Sequence, residues 1–229
     1  MNAGMTVKRK SLILADSALP TPCDARWLQP QWWLAQDAVR AELGGRGAAL
    51  ELATPVGPAV LRRYQRGGWI APLLHDRYLR RSAERSRGIR EFRLLCRLRE
   101  LNLPVPYPLA ASFEPAGAFY RAGLLTRLIP HTRPLAAVAD ALTPADWQRL
   151  AEVLKRFFRA GLVHPDLNAH NLLLDLSGQW HLLDFDRARL ASRPAAAGPM
   201  IDRLERSLRK HADAAAWQSG FHSQLRALD

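Results

Sequence analysis

The sequence predicts an α+β fold in two lobes, a small antiparallel-sheet lobe over residues 1–129 and a reduced, mainly helical lobe over residues 130–229. Three observations carry this expectation. Short extended segments separated by Gly and Pro turns dominate the first part. A capped helical pattern and a tight hairpin dominate the second. Pro130, which follows a strand-like run ending at Ile129, makes a hinge-like boundary between them. A chain of 229 residues is long enough for one domain of two lobes, or for two small domains sharing a cleft.

Composition narrows the functional classes. With 48% hydrophobic and 24% charged residues the chain is ordinary globular material, which excludes disorder. The net charge of +12 is not ordinary, and it comes almost wholly from arginine, since Lys8, Lys10, Lys155 and Lys210 are the only lysines. Such a surface implies an anionic partner: nucleic acid, a phosphate-rich lipid surface or an acidic substrate. Cys23 and Cys96 make no disulfide framework and fit a reducing compartment, with Cys96 read as a buried thiol on an apolar helix face. Lys8-Arg9-Lys10 ahead of Leu12-Ile13-Leu14 resembles the start of a signal peptide, but Asp16 interrupts it, so a cytosolic chain is expected. No apolar run of about 18 residues occurs, and no transmembrane helix is expected.

Taken in order, residues 1–25 read as an edge strand or a loosely held arm. Trp27, Trp32 and Trp33 fall in a short helix-like segment reaching about Val39, suited either to packing the small lobe or to a membrane interface. Glu42-Leu43 leads into Gly44-Gly45-Arg46-Gly47 and then the alternating Ala49-Leu50-Glu51-Leu52, a glycine-rich hairpin whose backbone N–H groups could approach phosphates. A turn over Thr54 to Pro58 precedes the strand Ala59 to Tyr64. Phe92, Leu95, Cys96 and Leu98 recur at helical spacing within an arginine-dense stretch, giving a helix that begins at Glu91 with one buried and one basic face. Pro104, Pro106 and Pro108 stop that helix and deliver an extended segment. Phe113 to Phe119 contains a turn, and Tyr120 to Ile129 reads as a strand.

Thr143-Pro144-Ala145-Asp146 is an N-cap with Pro at the first helical position and an acid in the first turn. Trp147, Leu150, Val153, Leu154, Phe157 and Phe158 follow at helical period, and Gly161 ends the helix. The stretch Val163 to Arg189, VHPDLNAHNLLLDLSGQWHLLDFDRAR, then concentrates the chemistry. His164 to Asp166 reads HxD, with Asn171 five residues after the aspartate. Leu172 to Leu174 and His181 to Leu183 form a hairpin over a polar turn, and Asp184-Phe185-Asp186 follows. An aspartate beside an acceptor hydroxyl can take its proton, while the oxygen of Asn171 and the carboxylate of Asp184 can hold Mg²⁺ against the phosphates of a nucleotide. The remaining residues read as a loop over Ser192 to Pro199 and one or two helices. There Leu204, Leu208 and His211 share one face, and Arg203, Arg206, Arg209 and Lys210 another.

The pairing of HxDxxxxN with a DFG-like triplet resembles the protein-kinase-like phosphotransferases. The middle arginine of the usual HRD is Pro165 here, and the glycine of DFG is Asp186, which could be a second metal ligand or a partner for Arg187 or Arg189. HPDLNAHN, LLDFDRAR and LRRYQRGG (Leu61 to Gly68) together resemble the lipopolysaccharide core kinases, over about Gly45 to Lys210. That resemblance implies a protein-kinase-like bilobal fold using ATP and Mg²⁺. Asp166 would be the catalytic base, and Asn171 and Asp184 the metal ligands. Gly44, Gly45 and Gly47 would cover the phosphates. Arg62 stands where kinases carry a lysine and would position the phosphates, with Glu91 as its paired carboxylate and Glu84 as the alternative; Arg62 could instead be one more solvated arginine.

The acceptor implied is the 4-hydroxyl of a 3-deoxy-D-manno-octulosonic acid (Kdo) residue on a lipid A precursor. The place implied is the cytoplasmic face of an inner membrane, held peripherally through its anionic surface, with no obligate protein partner. A heptose kinase of the same family is the nearest alternative. A small protein kinase is disfavoured because the 43 residues after Asp186 leave no room for a peptide platform. A basic nucleic-acid-binding protein would suit the charge, but no binding motif accompanies it, so no nucleic acid is expected. A metal site at His164 and His170 lacks a compact ligand set.

Overall fold

The computed structural model describes residues 3–8, 11–21, 23–43, 49–64, 78–79, 82–116, 119–194, 196–213, 217, 221 and 225. The chain divides into two compact units, Met1–Cys96 with Tyr107–Leu128, and Arg97–Pro106 with Ile129–Asp229. The second unit thus takes in Arg97–Pro106, which the sequence reading counts with the first. Its own carbonyls show why: the Arg156 guanidinium donates to the carbonyl of Asn102 at 2.5 Å, and the Leu182 N–H donates to the carbonyl of Pro104 at 3.0 Å.

The first unit is built on an eight-stranded sheet in which every neighbouring pair is antiparallel. Its strands are β1 (Ala3–Lys8), β2 (Ser11–Asp16), β3 (Val39–Leu43), β4 (Ala49–Thr54), β5 (Gly57–Arg63), β6 (Tyr78–Leu79), β7 (Pro108–Ala116) and β8 (Phe119–Arg127). The order is β1-β2-β7-β8-β5-β4-β3, with β6 also paired to β8. Of the two readings of residues 1–25, an edge strand or a loose arm, the strand holds: β1 lies at the sheet edge and β2 beside it, with Leu12 and Leu14 alternating into the core. β7 extends through Ala116, so Phe113 to Ala116 are strand rather than turn. The chain reversal expected within Phe113 to Phe119 therefore falls between Ala116 and Phe119, where β7 ends and β8 begins, and Pro115 is in the ladder, paired with Tyr120.

The tryptophan segment is a 3₁₀ turn, Ala25–Leu28, followed by α1 (Pro30–Ala35). It ends before Val39, which opens β3, and Asp37 makes the change of direction at a φ of 51°. Trp27 and Trp33 are buried with Leu28, Leu50, Leu52, Leu61 and Leu125 in one apolar cluster, and the Trp33 indole N–H donates to the Trp27 carbonyl at 2.7 Å. These two indoles are core, not interface. The basic helix α2 (Arg87–Glu100) begins a turn earlier than Glu91. Gly88 explains the early start: a Cβ there would sit 2.7 Å from the carbonyl oxygen of Gly123, so the helix can lie against the sheet only where the side chain is absent. Cys96 on this helix is partly rather than fully buried.

The second unit contains α3 (Pro144–Arg159), α4 (Gly198–Leu208) and the short strands β9 (Arg133–Pro134), β10 (Leu162–Val163), β11 (Leu172–Leu174), β12 (Trp180–Leu182) and β13 (Arg189–Leu190). α3 carries the expected start in full, with a reciprocal capping box between Thr143 and Asp146 and Pro144 in the first turn. Its apolar stripe from Trp147 to Phe158 is buried. Gly161 ends it at a φ of 83°, and a Cβ there would meet the carbonyl oxygen of Ala191 at 2.6 Å, next to the pairing of β10 with β13. β11 and β12 form the hairpin, one residue earlier on its second strand than expected because Trp180, fully buried, pairs with Leu174. α4 begins at Gly198, inside the span read as loop, and Pro199 sits in its first turn. Beyond it Trp217, Phe221 and Leu225 are buried, and Phe221 packs on Trp147 at 5.1 Å between ring centroids.

Candidate active site

In the first unit Arg62 lies on β5 and Glu91 on α2, and the structure brings them into an ion pair. Glu91 is 3% exposed, and it accepts a second hydrogen bond from the hydroxyl of Tyr64 at 2.5 Å. The guanidinium of Arg62 also stacks over the Tyr64 ring at 5.0 Å. Burial pushes the Tyr64 hydroxyl well above the usual tyrosine range, with the Glu91 charge acting in the same direction, so the phenol stays a donor to the carboxylate. Glu84, the alternative partner, instead pairs with Arg93 at an exposed position. Arg62 is three-quarters enclosed, which distinguishes it from a solvated arginine. Gly44, Gly45 and Gly47 lie outside the described residues, between β3 and β4, whose ends pair Leu43 with Ala49.

In the second unit the residues of HPDLNAHN are tied to one another and to the DFD triplet. His164 is buried, and its Nε2 lies 3.0 Å from the carbonyl oxygen of Leu183, immediately before Asp184. Its backbone N–H donates to the sulfur of Met200 on α4, and its ring packs edge-on to Phe185 at 5.4 Å. Burial lowers the His164 pKa below the ordinary histidine value, against the opposing pull of the Leu183 carbonyl and the Asp184 and Asp166 charges. The carbonyl can only accept, so Nε2 carries a proton, and burial favours the neutral ring over the charged one. His164 is thus a strut between the two loops and not a metal ligand, and among the described residues no group of three His, Cys, Asp or Glu could hold a metal.

Asn171 donates from Nδ2 to the carbonyl oxygen of Asp166 at 3.0 Å, and its own carbonyl accepts from the Leu183 N–H at 2.8 Å. The first bond fixes the amide orientation, leaving Oδ1 as the acceptor end. Asp184 adopts a φ of 61°, a left-handed backbone that an aspartate tolerates better than most residues. An amide oxygen and a carboxylate on adjacent, mutually bonded loops are a hard oxygen set. This set fits Mg²⁺ bound through one or two protein ligands together with phosphates, and does not make an all-protein cage.

Asp166 is one-third exposed, and its Oδ1 accepts from Arg203 of α4 at 2.8 Å, while Arg187 approaches Oδ2 at 3.8 Å. Two residues of this arrangement were not assigned by sequence reasoning. Tyr64 could have been found, because it stands two residues after Arg62 and so shares its face of the strand. Arg203 carried no such signal, since 37 residues separate it from Asp166.

This α+β fold, with its HxDxxxxN and DFD loops bonded to each other, is that of a protein-kinase-like phosphotransferase. The chain belongs to the lipopolysaccharide kinase (Kdo/WaaP) family, whose model matches residues 30–223. It is similar to a 3-deoxy-D-manno-octulosonic acid kinase of Stenotrophomonas maltophilia, at 44% identity over 86% of this chain and 80% of that one. The enzyme of the same name in Xanthomonas oryzae pv. oryzae is 44% identical over 82% of this chain and 76% of its own length. That of Xanthomonas euvesicatoria pv. vesicatoria is 43% identical over 86% of this chain and 80% of its own.

Proposed function

We propose that the chain transfers the γ-phosphoryl group of ATP to the 4-hydroxyl of the Kdo residue on a lipid A precursor. The supporting observation is the mutual bonding of Asp166, Asn171 and the Leu183–Asp184 loop, in a chain 44% identical to kinases named for that sugar acid. Asp166 accepts the proton of the acceptor hydroxyl through Oδ2, the oxygen opposite the one that Arg203 engages. The hydroxyl oxygen bonds to the γ-phosphorus as the bond to the β–γ bridging oxygen breaks, and ADP leaves with that electron pair. Asn171 Oδ1 and Asp184 would hold Mg²⁺, and the ion would supply neutralisation of the phosphate charge. In the first unit Arg62, oriented by Glu91 and Tyr64, is a fixed positive fork suited to phosphate oxygens.

The chain works peripherally at the cytoplasmic face of the inner membrane. Its net charge of +12 supports this, since each basic residue near an anionic leaflet contributes roughly 1 kcal/mol. No helix among the described residues is long and apolar enough to cross a membrane. The test is transfer of labelled γ-phosphate from ATP and Mg²⁺ to the Kdo-bearing precursor by the wild-type chain and by Asp166→Ala. Labelling that disappears in the variant is expected. Labelling of a heptose-bearing core instead would move the acceptor, and labelling of neither would overturn the reading.

A further inference from the structure

A second feature of the C-terminal unit is a pocket of about 480 Å³ lined by Asn168, Arg203, Arg206, Ser207, Arg209 and Lys210. Four of these six side chains are cationic, and none is anionic. Cations gathered at a helix C-terminus have an ordinary explanation, which is to satisfy the last carbonyls and the negative end of the dipole. Backbone groups already meet that need here: Glu205, Ser207 and Leu208 carbonyls accept from the N–H groups of Arg209, Lys210, His211 and Ala212. Among the described residues Arg206, Arg209 and Lys210 have no carboxylate partner, and the buried Nε of Arg203 has no acceptor. The neutral lining is also set to donate. Ser207 Oγ accepts from the Ala169 N–H at 3.1 Å, which leaves its own proton for a ligand.

Arg203 connects the pocket to the chemistry, because the guanidinium that lines the pocket also holds Oδ1 of Asp166 at 2.8 Å. Asn168 does the same through its Nδ2, which donates to the Asp166 carbonyl at 2.8 Å. An oxyanion in the pocket would therefore sit on the same guanidinium as the carboxylate that receives the acceptor proton. We infer that this pocket binds an oxyanion carried by the acceptor, the sugar-acid carboxylate foremost, and that Arg203 couples its binding to the placement of Asp166. The inference rests on the proposed acceptor and deepens it: the site would select a sugar acid over a neutral sugar by charge, since Arg206, Arg209 and Lys210 would leave an uncharged analogue without the charge-assisted bonds an oxyanion makes.

The experiment measures equilibrium binding of the Kdo-bearing lipid A precursor in detergent micelles, without nucleotide. It compares the wild-type chain with the double variant Arg206→Gln and Lys210→Gln, both first shown to melt at the same temperature. Three acceptors are used: the precursor itself, its sugar-acid methyl ester, and its dephosphorylated form. Wild type should lose about tenfold to a hundredfold in affinity on esterification, as expected when charge-assisted hydrogen bonds are removed. The variant should bind acid and ester alike. If the discrimination erased in the variant is instead that against the dephosphorylated form, the oxyanion is a lipid phosphate. If wild type binds all three equally, or the variant weakens all three by one factor, the pocket does not read an acceptor oxyanion. Labelling by ATP reports the proposed reaction separately, so failure of one reading is not failure of the other.

Discussion

Arg62 carries a permanent charge at a position where a lysine would carry a titratable one, and the structure surrounds it with a buried carboxylate and a buried phenol. Glu91 takes both the Arg62 and the Tyr64 bonds, so Glu91→Gln weakens two interactions at once. A loss of about 1–3 kcal/mol in stability is expected by thermal melting, together with a raised KM for ATP. An unchanged KM would detach the pair from nucleotide binding. Asp166→Asn keeps the side-chain shape and removes the base, so kcat should fall by about 10²–10⁴ with KM for ATP little altered. His164 gives the fold a pH dependence whose sign follows from its lowered pKa. The unfolded chain binds a proton below its ordinary value of 6.5 more readily than the folded chain does, so stability is full above that pH and declines as pH falls below it. Denaturant melts at pH 7.5 and 5.5 should show this decline in the wild type and a smaller one in His164→Gln.

The elements were legible in proportion to how local their signals are. The start of α3 was readable from Thr143, Pro144 and Asp146 alone, because a capping box is a contact among neighbours. The start of α2 was not, since it depends on Gly88 meeting the carbonyl of Gly123 on a strand 35 residues away. Gly88→Ala should therefore cost about 1–3 kcal/mol, despite alanine's better helix propensity, because the helix must move off the sheet and carry Glu91 with it. A calorimetric midpoint equal to or above that of wild type would show that the contact can relax. The hairpin of β11 and β12 was visible as alternating segments around a polar turn, and its one-residue shift reflects the burial of Trp180, which periodicity does not register.

For the whole molecule, the charge of +12 predicts that vesicle binding is electrostatic. Binding to anionic vesicles should weaken several-fold when ionic strength rises from about 0.05 to 0.5 M, as exposed charges are screened. Trp27 and Trp33 cannot anchor the chain in lipid, being 4% and 2% exposed in the core. Salt-insensitive binding would require apolar contact from elsewhere. The division of the chain is also a property of the whole: the segment Arg97–Pro106 begins within the last turn of α2, yet its carbonyls at Asn102 and Pro104 are satisfied by Arg156 and Leu182 of the second unit.

By itself the sequence determined the α+β class and the placement of Asp166, Asn171 and Asp184 around one hairpin, because residue type and short spacing encode each of them, whereas the choice of Glu91 over Glu84 as the partner of Arg62, 29 residues away, was decided only by the structure. Family motifs extended this to the enzyme class, which the comparisons with known kinases support independently. Only the tertiary structure decided that Tyr64 completes the Glu91 site, that His164 is a neutral strut, and that Arg203 reaches Asp166 from α4. The reason is physical. Hydrogen-bond partners of buried and half-buried groups are chosen by packing among distant segments, and no local pattern in the chain records which of its arginines that packing brings to Asp166.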